Sequence, residues 1–337
     1  MVKESRGVVI DEHHKVSIGT LPLRELGADD LLINIHSAAV NPSDKMYLLG
    51  HYPAKKHLPT IAGFEGSGVV VETGSSDHAT LMKGKRVTFF ASGAHDLGTW
   101  GEYTVVSRQG VFPVPENMSM EEAACCLVNP LTVQGFIVTC QEKGYKTIVH
   151  SAAASALGRM LVKACKKYGI TLINIVRRAE QVEILKELGV EPDHILNSSD
   201  EAYETDLSYR LSQWKPSAFF DAVGGKTGSL ILQHMPEGST TYNYGALEQD
   251  PSYTVSPMDL LFKQKVLTGY WVTADMKNPE KAGKIAGATF ENLNSGIFTS
   301  KIHKTFTYEQ FADAVKYNDE HQSEGKVVLQ NPHFENK

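Results

Sequence analysis

The chain has 337 residues, 42% of them hydrophobic and 21% charged, with a net charge of −6. That length suits about two domains that need no disulfide or metal staples. A mildly acidic surface argues against nucleic-acid or anionic-membrane partners, and no apolar run approaches the roughly 18 residues a membrane span takes.

The opening residues Met1–Arg6 have neither the apolar core of a secretory signal nor an acid-free, Arg/Ser-rich transit pattern. This predicts a cytoplasmic protein, or a mitochondrial one if a presequence has been removed. Four cysteines, Cys125, Cys126, Cys140 and Cys165, contain no C-x-x-C spacing. They suit buried, reduced thiols rather than a zinc ribbon or a disulfide scaffold.

Short β-branched runs come first: Gly7–Ile10, Leu31–Ile35, Gly66–Glu72 and Arg86–Phe90, bounded by Gly, Asp and Lys turns. They predict a small barrel-like β domain to about Pro115. Beyond it, Ser119 followed by Glu121 and Glu122 marks a helix start. Strands and helices then alternate. Strands are predicted at 147–150, 171–176, 194–197, 218–223 and 239–245, and helices at 157–168 and 179–188. That order means a doubly wound parallel sheet, placed at about 119–273. Lys263–Tyr270 reads as a further strand, an edge that its two lysines would guard. A helical stretch near 279–295 and a strand at 325–329 are too little for a third domain. They are expected to complete the first, giving domains of 1–118 with 274–337, and 119–273.

The strand ending at His150 runs into Ser151-Ala152-Ala153-Ala154-Ser155-Ala156-Leu157-Gly158 and a helix. A dinucleotide fold needs small residues here for a tight turn, for close approach of the pyrophosphate and for helix–strand packing. Against G-x-G-x-x-G the matching positions are Ala153, Ser155 and Gly158, so only the third glycine is present. Ala154, Ser155, Ala156, Leu157 and Gly158 are candidate pyrophosphate contacts at a helix start. The next strand ends in Arg177-Arg178, where an NAD site usually places an acid. Two guanidinium groups suit a 2′-phosphate, so NADPH is the predicted cofactor.

These motifs, in this order, resemble the medium-chain dehydrogenase/reductase superfamily over nearly the whole chain. The markers are Val40-Asn41-Pro42-Ser43-Asp44, Leu58–Gly68 with Gly63-Phe64-Glu65, Gly98–Tyr103, Asn129-Pro130-Leu131-Thr132 and the small-residue turn. The resemblance implies a GroES-like β-barrel catalytic domain plus a Rossmann domain. Zinc members carry Cys at the place of Asn41 and His at the place of Phe64, and a structural zinc lobe needs cysteines near 90–110. None is there. The resemblance is therefore to the zinc-independent branches, the quinone oxidoreductases and the 2-enoyl thioester reductases. Both usually have glycine at the place of Ala156, and many also at Ser155; a Cβ there narrows the room for pyrophosphate.

The resemblance also implies roles. Tyr52 matches the hydroxyl considered to donate a proton or orient substrate, and a phenol donates a hydrogen bond without charge. Asn41 would reach the nicotinamide or substrate, and Thr132 the nicotinamide ribose or amide. Tyr244 and Gly245 follow a late strand at the carboxyl edge where dinucleotides bind. Tyr270 and Trp271 resemble residues edging the nicotinamide pocket. Lys326 is read either as a phosphate contact or as a solvated charge. Trp100 is read as a packing residue of the β domain. The strand near 266–270 corresponds to one that pairs across a dimer axis, so a homodimer is expected.

The expected function is an NADPH-dependent, zinc-independent transfer of hydride to a small molecule, a quinone or an α,β-unsaturated carbonyl or 2-enoyl thioester. The alternative, motivated by Ser155 and Ala156, is a catalytically impaired member acting as a binding or assembly subunit.

Overall fold

A computed structural model of the chain describes residues 2–53 and 56–335. It forms two units, Met1–Val128 with Thr299–Lys337, and Asn129–Phe298.

In the first unit the strand Asp30–Ala39 is the hub. It pairs antiparallel with Glu65–Thr73, Tyr103–Ser107 and Lys326–Gln330. Its register shifts between Leu32 and Ile33 and between Ile35 and Ser37. Such bulges add twist and let one strand turn from one neighbour to the next. Leu31, Ile33 and Ile35 bury against Val87, Phe89 and Val106; each fully buried side chain of this kind contributes roughly 1.5–3 kcal/mol. Trp100 is fully buried and its Nε1 donates to Ala39 O at 3.1 Å, which makes it a packing residue. A smaller sheet pairs Glu4–Ile10 with Val16–Pro22. In the second of these strands Val16, Ile18 and Leu21 pack partly buried against the core, but Leu21 falls out of the Val16–Ile18 alternation, so the strand is weakly marked in sequence.

In the second unit every strand pair is parallel. The order is Ile195–Asn197, Thr171–Val176, Thr147–His150, Ala218–Asp221, Thr240–Asn243, Val266–Gly269. From Thr147–His150 the chain winds outward to one side, then returns to place Ala218–Asp221 on the other. That reversal puts a topological switch point beyond His150 and Asp221. Val149, Ile173, Ile175, Phe219 and Ile231 form the core beside it.

The expected domain boundaries shift. Residues 119–128 hold to the first unit: Ser67 Oγ donates to Met120 O, and Gln330 Nε2 donates to Glu121 Oε1. Helix Pro279–Asn294, expected to complete the first domain, belongs to the second unit. Its Asn292 Nδ2 donates to Gln134 Oε1 at 2.9 Å, and its Glu291 pairs with Lys167 at 3.1 Å. The return to the first unit starts at Thr299. Lys265 is not an edge guard. It is buried, with Nζ donating to Leu232 O and Gln233 O at the end of helix Gly225–His234 and pairing with Asp259 at 3.0 Å. Carbonyls left open at a helix end and a carboxylate together satisfy an ammonium that would otherwise stay in water.

Among the described residues no helix is long and apolar enough to cross a membrane.

Candidate functional site

Each unit carries its own set of candidate groups. In the first unit they converge on Asn41, which precedes the short helix Pro42–Leu48 and is buried with Glu65 and Lys326. Asn41 Nδ2 donates to Glu65 Oε1 at 2.8 Å, and Asn41 Oδ1 accepts from Lys326 Nζ. Glu65 Oε2 accepts from Leu127 N and Val128 N at 3.1 and 2.8 Å, where helix Val128–Lys143 begins. A carboxylate suits open N–H groups at a helix start. The amide is therefore polarised from both ends, by an anion on its NH₂ and a cation on its carbonyl. Lys326 is neither solvated nor free; its ammonium is committed to Asn41. Asp44 Oδ2 accepts from Asn41 N at 2.8 Å. Complete burial pushes the Asp44 carboxyl up to about 7, with the charge on Glu65 adding to the effect and Lys326 opposing it.

Phe64 stands next along the chain, and three groups surround its ring. Tyr52, half-buried in the loop after Pro42–Leu48, packs at 5.1 Å, and Tyr47 packs at 5.1 Å on a tilted ring. Tyr47 is buried, its hydroxyl has no hydrogen-bond partner, and burial raises it to about 12. Lys56 Nζ lies 5.7 Å from the Phe64 ring centroid, also without a hydrogen-bond partner. Burial lowers it from 10.5 to about 8, although Asp96 and Asp44 pull the other way.

In the second unit the turn after His150 is tight. Ala152 takes φ of 51°, a left-handed conformation that costs a residue with a Cβ roughly 1 kcal/mol. Ala153 N donates to Ile175 O at 3.1 Å, tying the turn to the neighbouring strand. Ser155 caps helix Ala156–Tyr168, its Oγ accepting from Gly158 N at 3.1 Å. A Cβ on Gly158 would lie 2.2 Å from Ala153 O, so this glycine is fixed by close packing. Ala154 is buried, and Ala156 and Leu157 form the first helical turn, with their N–H groups at the helix start. Arg177 and Arg178 follow strand Thr171–Val176 and are exposed; Arg178 precedes helix Ala179–Glu187. The turn and the arginines thus stand at the ends of adjacent parallel strands. These are features an NADP-type nucleotide requires, and the donor set fits that group.

Thr132 is buried in helix Val128–Lys143. Tyr244 and Gly245 follow strand Thr240–Asn243, and Gly245 N donates to Asn243 Oδ1 at 3.1 Å. Tyr244 Oη is 2.6 Å from His150 Nε2. Burial holds His150 down at about 3, so the ring stays neutral, and burial raises the Tyr244 phenol well above its usual range. Phe136 stacks on Phe220 and meets Tyr244 and Tyr270 edge-on. Trp271, by contrast, is 39% exposed. Several polar groups of this edge escaped sequence reasoning. Asp221 is fully buried and accepts from Ser151 Oγ, Val223 N and Gly224 N, holding the switch-point loops. An aspartate closing a strand before Gly224-Gly225 was the available signal. In the first unit, Glu65 was visible only as part of the Gly63-Phe64-Glu65 marker, and Lys56 had no signal beyond its charge.

The chain matches two families in succession: the alcohol dehydrogenase GroES-like domain over residues 27–116, and the zinc-binding dehydrogenase over residues 156–286. The mitochondrial enoyl-(acyl-carrier-protein) reductase of Arabidopsis thaliana is 30% identical over 290 residues, 81% of this chain and 73% of that protein. The Xenopus tropicalis protein of the same name is 29% identical, over 80% of this chain and 77% of its own. Among solved structures, a Mesorhizobium loti protein provisionally described as an NADPH:quinone reductase superposes with a TM-score of 0.85 at 26% identity, covering 98% and 99% of the two chains. An enoyl thioester reductase from Candida tropicalis, at 19% identity and a TM-score of 0.78, shares the fold, over 98% of this chain and all of its own.

The second family's description implies a metal. The residues here do not fit a catalytic zinc. Phe64 offers no donor atom, the Asn41 carbonyl is taken by an ammonium, and that ammonium would repel a dication placed at Asn41.

Proposed function

Because the chain belongs to the medium-chain dehydrogenase/reductase superfamily, we propose that it is an NADPH-dependent reductase of activated carbon–carbon double bonds that uses no catalytic zinc. The observation that carries this reading is the buried Lys326–Asn41–Glu65 arrangement, which puts a fixed cation and an oriented amide where a metal centre would need ligands. The enoyl reductases among the relatives favour a 2-enoyl thioester or related enone over a quinone. The four free thiols are all buried, which suits a reducing compartment, cytoplasmic or mitochondrial.

In the second unit, the helix start at Ala154–Gly158 receives the pyrophosphate and Arg177 with Arg178 receives the 2′-phosphate. Thr132, Tyr244, Gly245, Tyr270 and Trp271 border the nicotinamide. NADPH, when bound, supplies hydride to the β-carbon. In the first unit, Tyr52 hydrogen-bonds the substrate carbonyl or passes a proton toward the α-carbon, and Asn41, held rigid by Glu65 and Lys326, orients the reacting groups. The edge strand Val266–Gly269 and the exposed Leu261, Phe262 and Val266 support a homodimer through this face.

NADPH oxidation should be screened with enoyl thioesters, enones and quinones, on wild type and Tyr52→Phe. The expected result is turnover of an enoyl thioester that falls by about 10²-fold in the variant, with NADPH affinity unchanged. Turnover with no Tyr52 effect removes the proton role alone. Failure to bind NADPH at all removes the enzyme and supports the binding-subunit alternative that Ser155 and Ala156 motivate.

A further inference from the structure

We propose that His303, His321 and Glu324 form a binding site for a zinc-class divalent cation, separate from the candidate active site. Their ligand atoms all lie within 4.8 Å of one another. His303 Nε2 is 3.0 Å from Glu324 Oε2, and His321 Nδ1 is 2.6 Å from Glu324 Oε1. Two imidazole nitrogens and a carboxylate are the donor types that borderline cations prefer, and three protein ligands leave a position for water. Tetrahedral bonds of about 2.0–2.1 Å separate donors by roughly 3.3 Å, so small side-chain rotations suffice.

The backbone is shaped around His303. Strand Ile302–Thr307 runs parallel to Lys326–Gln330, and the register slips between Ile302 and Lys304, leaving His303 out of the ladder. Bulges re-aim side chains and are rare between parallel strands. Opposite it, Gly325 takes φ of +149°, and a Cβ there would lie 2.9 Å from the His303 Cβ and 2.7 Å from Lys301 O. His321 closes helix Phe311–Glu320, and Glu324 N donates to His321 O at 2.9 Å, so the turn holds both ligands together. Tyr317 stacks on His321 at 4.1 Å and on His303 at 5.8 Å.

Glu324 Oε2 is 3.0 Å from His303 Nε2, and the phenol oxygen of Tyr317 lies 2.7 Å from the same nitrogen. The Nε2 lone pair and the carboxylate therefore face one point that a cation can share. The site lies one turn before Lys326, so the ion would pin the segment that delivers this lysine to Asn41.

The test is calorimetric titration of metal-stripped full-length protein with zinc chloride. The expected result is one ion per chain at micromolar affinity or better, weakened by at least about tenfold in the His303→Ala/His321→Ala variant and in the milder Glu324→Gln variant. NADPH oxidation by metal-stripped protein should persist. Equal binding by wild type and both variants, or no binding by wild type, overturns the proposal. If the double variant does not fold, Glu324→Gln alone decides between these results.

Discussion

Lys326 donates through its ammonium to the side-chain carbonyl of Asn41, across 285 residues of chain. The amide passes this polarity to Glu65. Removing one member leaves buried partners without their bonds, which costs more than removing both. Lys326→Met should therefore destabilise the protein by about 2–3 kcal/mol. The Asn41→Leu/Lys326→Met pair should cost less than the sum of its parts. Urea denaturation of the four proteins in this cycle measures the coupling, and strict additivity would show that the two side chains act independently.

Arg177 and Arg178 stand exposed at the end of Thr171–Val176, and on the proposed reading they receive the 2′-phosphate. Replacing both by Ala should weaken NADPH binding by about 10–100-fold and leave NADH binding within a few-fold. Fluorescence titration with each nucleotide reads the ratio. Equal losses for both would assign the arginines to general stability.

Lys56 carries a buried ammonium without a hydrogen-bond partner, lowered from 10.5 to about 8 by burial. Between those values the unfolded chain binds the proton and the folded chain does not, so this group makes stability rise with pH across that window. Below about 8 both states are charged and the full burial cost applies. Lys56→Met should stabilise the protein by about 1–2 kcal/mol at pH 7, net of the lost contact with Phe64. The gain should fade as pH approaches 10.5. Denaturation at a series of pH values checks both sign and window.

Gly158→Ala puts a methyl group 2.2 Å from Ala153 O. Backbone rather than a flexible side chain is struck, so the turn or the helix must move. A loss of about 2–4 kcal/mol is expected, together with weaker NADPH binding. Thermal denaturation with and without NADPH separates the two effects.

Much of this architecture is legible in the chain itself. Ser119 followed by Glu121 and Glu122 announces a helix start, and the structure completes it as a capping box, with both Ser119 N and the Ser119 hydroxyl donating to Glu122. The strand–turn–helix at His150–Gly158 is readable because tight packing admits only small residues. What periodicity leaves open is the partner of a face. Helix Pro279–Asn294 shows an apolar stripe, but only Asn292 meeting Gln134 and Tyr168 reveals which unit it covers. Charged residues mislead for a related reason. Lys265 and Lys326 look like solvent-facing ammonium groups in one dimension, and each is buried on acceptors from distant segments.

The late return of the chain at Thr299 also sets the order in which the protein can mature. The second unit is contiguous and can close during synthesis, once Phe298 has emerged. The first unit cannot. Strand Asp30–Ala39 waits for Lys326–Gln330, which is made long after it. Until then its edge stays open to pairing with other chains, and Asn41 lacks its lysine. Nascent chains stalled before residue 326 should therefore hold a folded nucleotide unit beside an aggregation-prone β unit. Asn41 gains its lysine only once residue 326 has been made.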